Sequence, residues 1–130
     1  MKFITRDTDY ALRAICYISK QKNLIPVDEL VKQLGVPGPF MRKILQRLNK
    51  EKILESYKGQ GGGFKLRVGP KKINIIQVMS IFQKQIGLSD CFLKKSICPS
   101  RRKCVLRKKI QVIENNVLEQ LKRINIASLI

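Results

Sequence analysis

Cys91, Cys98 and Cys104 follow one another as Cys-x6-Cys-x5-Cys in a stretch otherwise dominated by Lys94, Lys95, Arg101, Arg102 and Lys103. Cationic neighbours stabilise thiolates and lower their pKa, so these sulfurs are poised for metal binding or redox chemistry. Zinc fingers and ribbons favour paired Cys-x2-4-Cys clamps with four Cys or His ligands, a pattern this spacing lacks. Iron-sulfur clusters also take cysteine thiolates, and another side chain can stand in for a missing fourth. The residues indicate a metal or redox site. Cys16 differs: it falls inside an apolar helical pattern and reads as a small buried hydrophobe.

The chain contains no histidine. That removes the usual zinc-enzyme ligand, the Ser-His and Cys-His nucleophile pairs and the commonest general base, which argues against an enzyme. Lys and Arg number 27 against 9 Asp and Glu, a formal charge of +18 over 130 residues. Such an excess is more than solubility requires and favours a polyanionic partner, nucleic acid first. No apolar run approaches the roughly 20 residues of a membrane span, and Met1-Lys2-Phe3-Ile4-Thr5-Arg6-Asp7 turns charged too early for a signal peptide. The expected location is cytoplasmic, where four cysteines serve as thiols or metal ligands rather than as a disulfide framework.

A second set of residues suits contact with DNA. From about Pro39 to Lys50, Phe40, Met41, Ile44, Leu45 and Leu48 mark an inward helical stripe, while Arg42, Lys43, Gln46, Arg47, Asn49 and Lys50 place donors on the other face. Arg42 and Lys43 suit base edges or phosphates, and Phe40 suits a thymine methyl or a sugar, with Pro39 starting the helix. Next, Ile53–Tyr57 and Phe64–Val68 read as short strands around Lys58-Gly59-Gln60-Gly61-Gly62-Gly63. This is a wing, whose glycines let backbone approach DNA closely and whose Lys58 reaches a phosphate or the minor groove. The same glycines fit neither a dinucleotide fingerprint, since position 64 is Phe64 and no helix opens there, nor a phosphate-binding loop, since no Gly-Lys-Ser/Thr follows.

Further elements must hold these residues in place. Ala11, Leu12, Ala14, Ile15 and Ile18 predict a helix over 8–19, capped by Asp7 or Thr8. Pro26 opens a short helix through Leu30, Val31 and Leu34, ended by Gly35, so that the basic helix becomes the second member of a helix-turn-helix. Asn74 caps a core helix from Ile75 to about Gln85. A long helix from about Arg101 to Ile124 carries Leu106, Ile110, Ile113, Val117, Leu121 and Ile124 as a seam suited to its own copy. The expected fold is mainly α with a small β wing: a winged helix-turn-helix domain (1–85), a cysteine-rich loop (86–104), and a dimerisation helix with its tail (105–130). A two-fold pair would present two recognition helices to near-palindromic double-stranded DNA.

Taken together, Thr8-Asp9-Tyr10-Ala11-Leu12-Arg13-Ala14, Pro39-Phe40-Met41-Arg42-Lys43-Ile44-Leu45, Gly59-Gln60-Gly61-Gly62-Gly63-Phe64 and the three-cysteine loop resemble the Rrf2 family of winged-helix regulators over essentially the whole chain. The family includes an iron-sulfur cluster regulator and a nitric-oxide-sensing repressor. The resemblance implies a homodimer whose long C-terminal helices cross, and a cluster that changes DNA affinity with iron, redox state or nitric oxide.

The cluster regulator's pattern has a histidine shortly after the third cysteine, where this chain has Arg107 and Lys108. The nitric-oxide sensor's pattern takes an aspartate from the partner subunit, and Asp9 occupies the matching place. The resemblance therefore implies a cluster, four-iron in preference to two-iron, on Cys91, Cys98 and Cys104 of one subunit and Asp9 of the other. Asp9 is equally read as a helix-start charge stabilised by the macrodipole, and Asp90, an exogenous thiol or water are other fourth ligands. Arg42 stands where several relatives carry an acidic residue, so the operator preferred here differs from theirs. Two further functions compete: a cluster-free family regulator sensing thiol oxidation or a protein partner, and a zinc-stabilised nucleic-acid-binding adaptor.

Overall fold

Thr5 starts the first helix. In this computed structural model, which describes residues 3–83 and 104–130, helix α1 spans Arg6–Ser19 and the Thr5 hydroxyl accepts the Thr8 amide hydrogen at 3.4 Å. The expected cap at Asp7 or Thr8 is thereby corrected. The helix begins earlier, and Thr8 is fully buried rather than at the helix mouth. Its periodic face, Ala11, Leu12, Ala14, Ile15 and Ile18, is buried in the core.

Helix α2 (Val27–Leu34) ends on Gly35 at φ +66°, a left-handed cap that glycine adopts without steric cost. Pro37 leads into α3 (Gly38–Lys50), which buries Met41, Ile44, Leu45 and Leu48. Strands β1 (Leu54–Tyr57) and β2 (Gly63–Leu66) pair antiparallel with Leu54 opposite Leu66 and Tyr57 opposite Gly63. The hairpin is anchored to the segment between α1 and α2 by reciprocal 2.9 Å backbone hydrogen bonds between Ile25 and Phe64. After a single helical turn at Pro70–Lys72, Asn74 and Gln77 form a reciprocal capping box at the start of α4 (Ile75–Phe82). That helix stops before the expected Gln85, because Gln83 is extended and its side chain turns back to α1.

Cys104 caps helix α5 (Val105–Lys122). The expected start near Arg101 falls outside the described residues. The seam anticipated along this helix divides: Leu121 and Ile124 pack against the core, whereas Leu106 and Ile113 are 67% and 50% exposed. Beyond α5 the chain returns. Ile126 is fully buried in the core, its segment packed on α1 and on the Pro70–Lys72 turn, and the Ile126 amide donates to the Ile73 carbonyl at 2.8 Å while the Ile75 amide donates to the Ile124 carbonyl at 2.9 Å. The tail thus completes the core of the winged domain and clamps the base of α5 to it. Among the described residues no helix is long and apolar enough to cross a membrane.

Candidate nucleic-acid interface and thiol site

With about 100° between successive residues, the buried stripe of α3 leaves Pro39, Lys43, Gln46 and Lys50 on the outward crest. Arg42 and Asn49 lie on one flank, Phe40 and Arg47 on the other. All but Asn49, which is half-buried, are exposed. No acidic residue sits in the first turn, so the positive end of the helix is not neutralised locally.

The first flank faces the wing. Gln46 and Asn49 of α3, Ser56 and Tyr57 of β1, Lys58 at the wing root, and Gly62, Gly63 and Phe64 line one groove of about 420 Å³ together with Pro26 and Val27. Amide, hydroxyl and ammonium donors converge there beside an aromatic ring, a set suited to phosphate oxygens and base edges. Gly59, Gln60 and Gly61 form the exposed tip.

The glycines divide by role. A Cβ on Gly62 would strike the Tyr57 carbonyl oxygen, and one on Gly63 would lie 2.6 Å from the Ile25 carbonyl carbon and oxygen, so both are required by the wing's own packing. Around Gly59 and Gly61 there is open space, which leaves their backbone accessible to a ligand.

Arg47 is not brought to this groove. It pairs with Glu51 at 3.4 Å and lines a separate cavity with Ile53, Gln77 and Lys122. Conversely, the groove draws in Tyr57, which the sequence reading did not select. Its hydroxyl donates to Glu55 at 3.2 Å, and Lys65 lies 5.0 Å from its ring centroid while reaching Glu55 at 3.7 Å. Hydrogen bonding and proximity to the Tyr57 phenol raise the Lys65 pKa. The hairpin register, with Glu55 opposite Lys65, is the signal from which this arrangement was obtainable.

Of the sulfur ligands, Cys91 and Cys98 lie outside the described residues. Cys104 is half-buried at the N-terminus of α5, its sulfur accepting the Arg107 amide hydrogen at 3.5 Å. A partly accessible sulfur at a positive helix end has the donor chemistry a metal or cluster needs. Asp9 lies in the first turn of α1 with its carboxylate 44% exposed and 3.1 Å from Arg13. It is therefore accessible, though ligation would replace that ion pair. Among the described residues no three Cys, Asp or Glu side chains gather to hold a metal ion. Cys16 is half-buried, and burial raises its pKa, partly offset by Lys20, which keeps it a thiol as expected for a packing residue.

The family model described as an iron-dependent transcriptional regulator, Rrf2, matches residues 4–130. The chain belongs to the Rrf2 family. NsrR, an HTH-type transcriptional regulator of Bacillus subtilis, is 25% identical over 107 residues, covering 80% of this chain and 73% of that protein. Two solved structures share the fold: CymR, the global cysteine regulator of B. subtilis, with a TM-score of 0.77 at 17% identity over 99% of this chain and 96% of its own, and IscR of T. potens, with a TM-score of 0.70 at 19% identity over 99% and 85%. The fold is the winged helix of Rrf2 regulators, mostly helical with a two-stranded sheet and a C-terminal helix. This Rrf2 protein is a transcriptional regulator, with the DNA binding that such a role entails.

Proposed function

We propose that this Rrf2 regulator represses transcription as a homodimer whose DNA affinity is set by an iron-sulfur cluster on Cys91, Cys98 and Cys104, completed by Asp9 of the second copy. The observation that carries the DNA half of this reading is the groove shared by α3 and the wing, where Gln46, Asn49, Ser56 and Lys58 converge. Arg42 and Lys43 read base edges or nearby phosphates, Pro39 and Phe40 open the helix beside the duplex, and Arg47 meets the backbone from the opposite flank. Lys58, Gly59, Gln60 and Gly61 enter the minor groove.

Dimerisation is supported by the upper half of α5, where the apolar side chains of Val105, Leu106, Val112 and Ile113 are each at least half exposed. Because the tail clamps α5 to the winged domain, the pairing of two α5 helices fixes the distance between two α3 helices. Residues 1–85, 86–104 and 105–130 then act as reader, sensor and connector. When bound, the cluster supplies a group whose oxidation state and ligation respond to iron, redox state or nitric oxide. Cys104 holds its share at the root of α5, and Asp9 exchanges Arg13 for the cluster, which ties the start of α1 to the sensor. The family description as iron-dependent supports this assignment over a cluster-free one.

Anaerobic purification tests the reading. Brown protein with iron and acid-labile sulfide is expected, whose affinity for DNA at one fixed salt concentration changes on cluster removal and whose colour is lost in Cys98→Ser. Equal affinity with and without the cluster would refute the switch. Colourless metal-free protein that binds DNA would favour thiol or partner sensing, and stoichiometric zinc would favour the adaptor.

A further inference from the structure

Gln83 is the first residue after α4, yet its side chain serves α1. It is 9% exposed, and its Oε1 accepts hydrogen bonds from the Thr8 hydroxyl at 2.8 Å and the Thr5 amide at 3.2 Å, while its Nε2 donates to the Phe3 carbonyl at 3.0 Å. One buried amide thus brackets the first turn of α1 from both sides, using both acceptor positions and one donor. Arg6 lies inside that bracket, between Thr5 and Thr8.

The Arg6 guanidinium stands 5.0 Å from the ring centroid of Phe40, which is 41% exposed in the first turn of α3. A guanidinium laid on an aromatic face keeps its N–H groups around its edge, directed away from the ring and open to an acceptor. Asp9, three residues on, would be the natural counter-ion, but it is committed to Arg13 at 3.1 Å. Among the described residues no carboxylate lies within ion-pair distance of Arg6. A cation with outward donors, beside the start of α3, whose first turn holds no acidic residue, fits a phosphate oxygen.

We infer that Arg6 is a DNA phosphate contact flanking the recognition helix, and that Gln83 is the positioning residue that holds it over Phe40. The inference rests on the reading of α3 and the wing as the DNA surface, and adds α1 to it. Because Gln83 also begins the connection toward Cys91, the bracket lies where the sensor segment joins the reader.

The test is fluorescence anisotropy of the full-length protein on a labelled mixed-sequence duplex across a salt series, since a phosphate contact acts on any sequence. Arg6→Ala is expected to lower the slope of log affinity against log salt by about 0.9. Gln83→Met, similar in length but without the amide, is expected to weaken binding at fixed salt, and to add nothing in the Arg6→Ala background. Phe40→Leu is expected to cost less in the Arg6→Ala background than in wild type, the remainder being its own DNA contact, which tests the stack should Gln83→Met fail to fold. An unchanged salt slope in Arg6→Ala, with wild-type protein binding normally, overturns this inference alone. Additive losses for Gln83→Met and Arg6→Ala overturn the positioning role. Wild-type protein without salt-dependent binding overturns the DNA-surface reading as well.

Discussion

Replacing Gly63 by alanine tests how the wing is held against the rest of the domain. The new Cβ would sit 2.6 Å from the carbonyl carbon and oxygen of Ile25, both backbone atoms, at a residue whose φ is +156°. Backbone cannot swing aside as a flexible side chain can, so the contact is relieved only by stretching the reciprocal Ile25–Phe64 hydrogen bonds. Overpacking of this kind costs about 1–3 kcal/mol. The unusual backbone conformation adds about 1–3 kcal/mol. Together they amount to about 2–6 kcal/mol, against a total stability of about 5–15 kcal/mol for a typical domain. At this chain length each kcal/mol moves the melting temperature by about 3–5 °C, so a fall of at least about 6 °C is expected by circular dichroism.

Gly61→Ala is the matched control. Its φ is +76°, but nothing lies within 4 Å of the added atom. It therefore carries the conformational cost without the collision and should melt higher than Gly63→Ala by the overpacking difference. DNA affinity, measured where the variant is folded, should fall for Gly63→Ala, because Gly63 and Phe64 line the groove shared with α3. Equal melting temperatures for the two variants would refute the claim that the wing is locked against Ile25.

Two other outcomes are expected. Introducing Leu106→Glu together with Ile113→Glu places charges on exposed apolar positions of α5; it should yield monomer in sedimentation analysis with the melting temperature of the winged domain little changed, and a persistent dimer would refute that face as the contact. Burial raises the Cys16 pKa, and a hydrogen bond to Glu29 raises that of Tyr17. Both groups hold their protons more tightly folded than unfolded, so their contribution is full below the unfolded values of about 8.5 and 10 and is lost as pH rises above these through the higher folded values. Cys16→Ala should therefore show a shallower alkaline decline in denaturant midpoint than wild type, and identical declines would refute the assignment.

The helices were legible because their apolar positions recur at helical spacing and their ends carry recognisable signals. Gly35 ends α2 and Asn74 caps α4 as read, and the wing follows from two short strands around a glycine run. Boundaries were less legible where side chains from distant segments compete for them. Thr5, not Asp7 or Thr8, caps α1, and α4 stops short because the Gln83 amide satisfies backbone and side chains at the other end of the domain.

The sequence by itself determined the chemistry on offer: a cationic helix beside a glycine-rich turn, three thiols in a basic stretch, no histidine, and an amphipathic last helix. These depend on residue type and local periodicity, which need no partner to be read. Tertiary structure decided which groups share a space. It put Tyr57 with Gln46 and Asn49 in the wing groove, turned Arg47 toward Glu51, set Arg6 on Phe40 through Gln83, and returned Ile126 to the core. Those outcomes depend on packing between segments far apart in the chain, where burial of apolar surface and satisfaction of a few buried polar groups select one arrangement that no local pattern encodes.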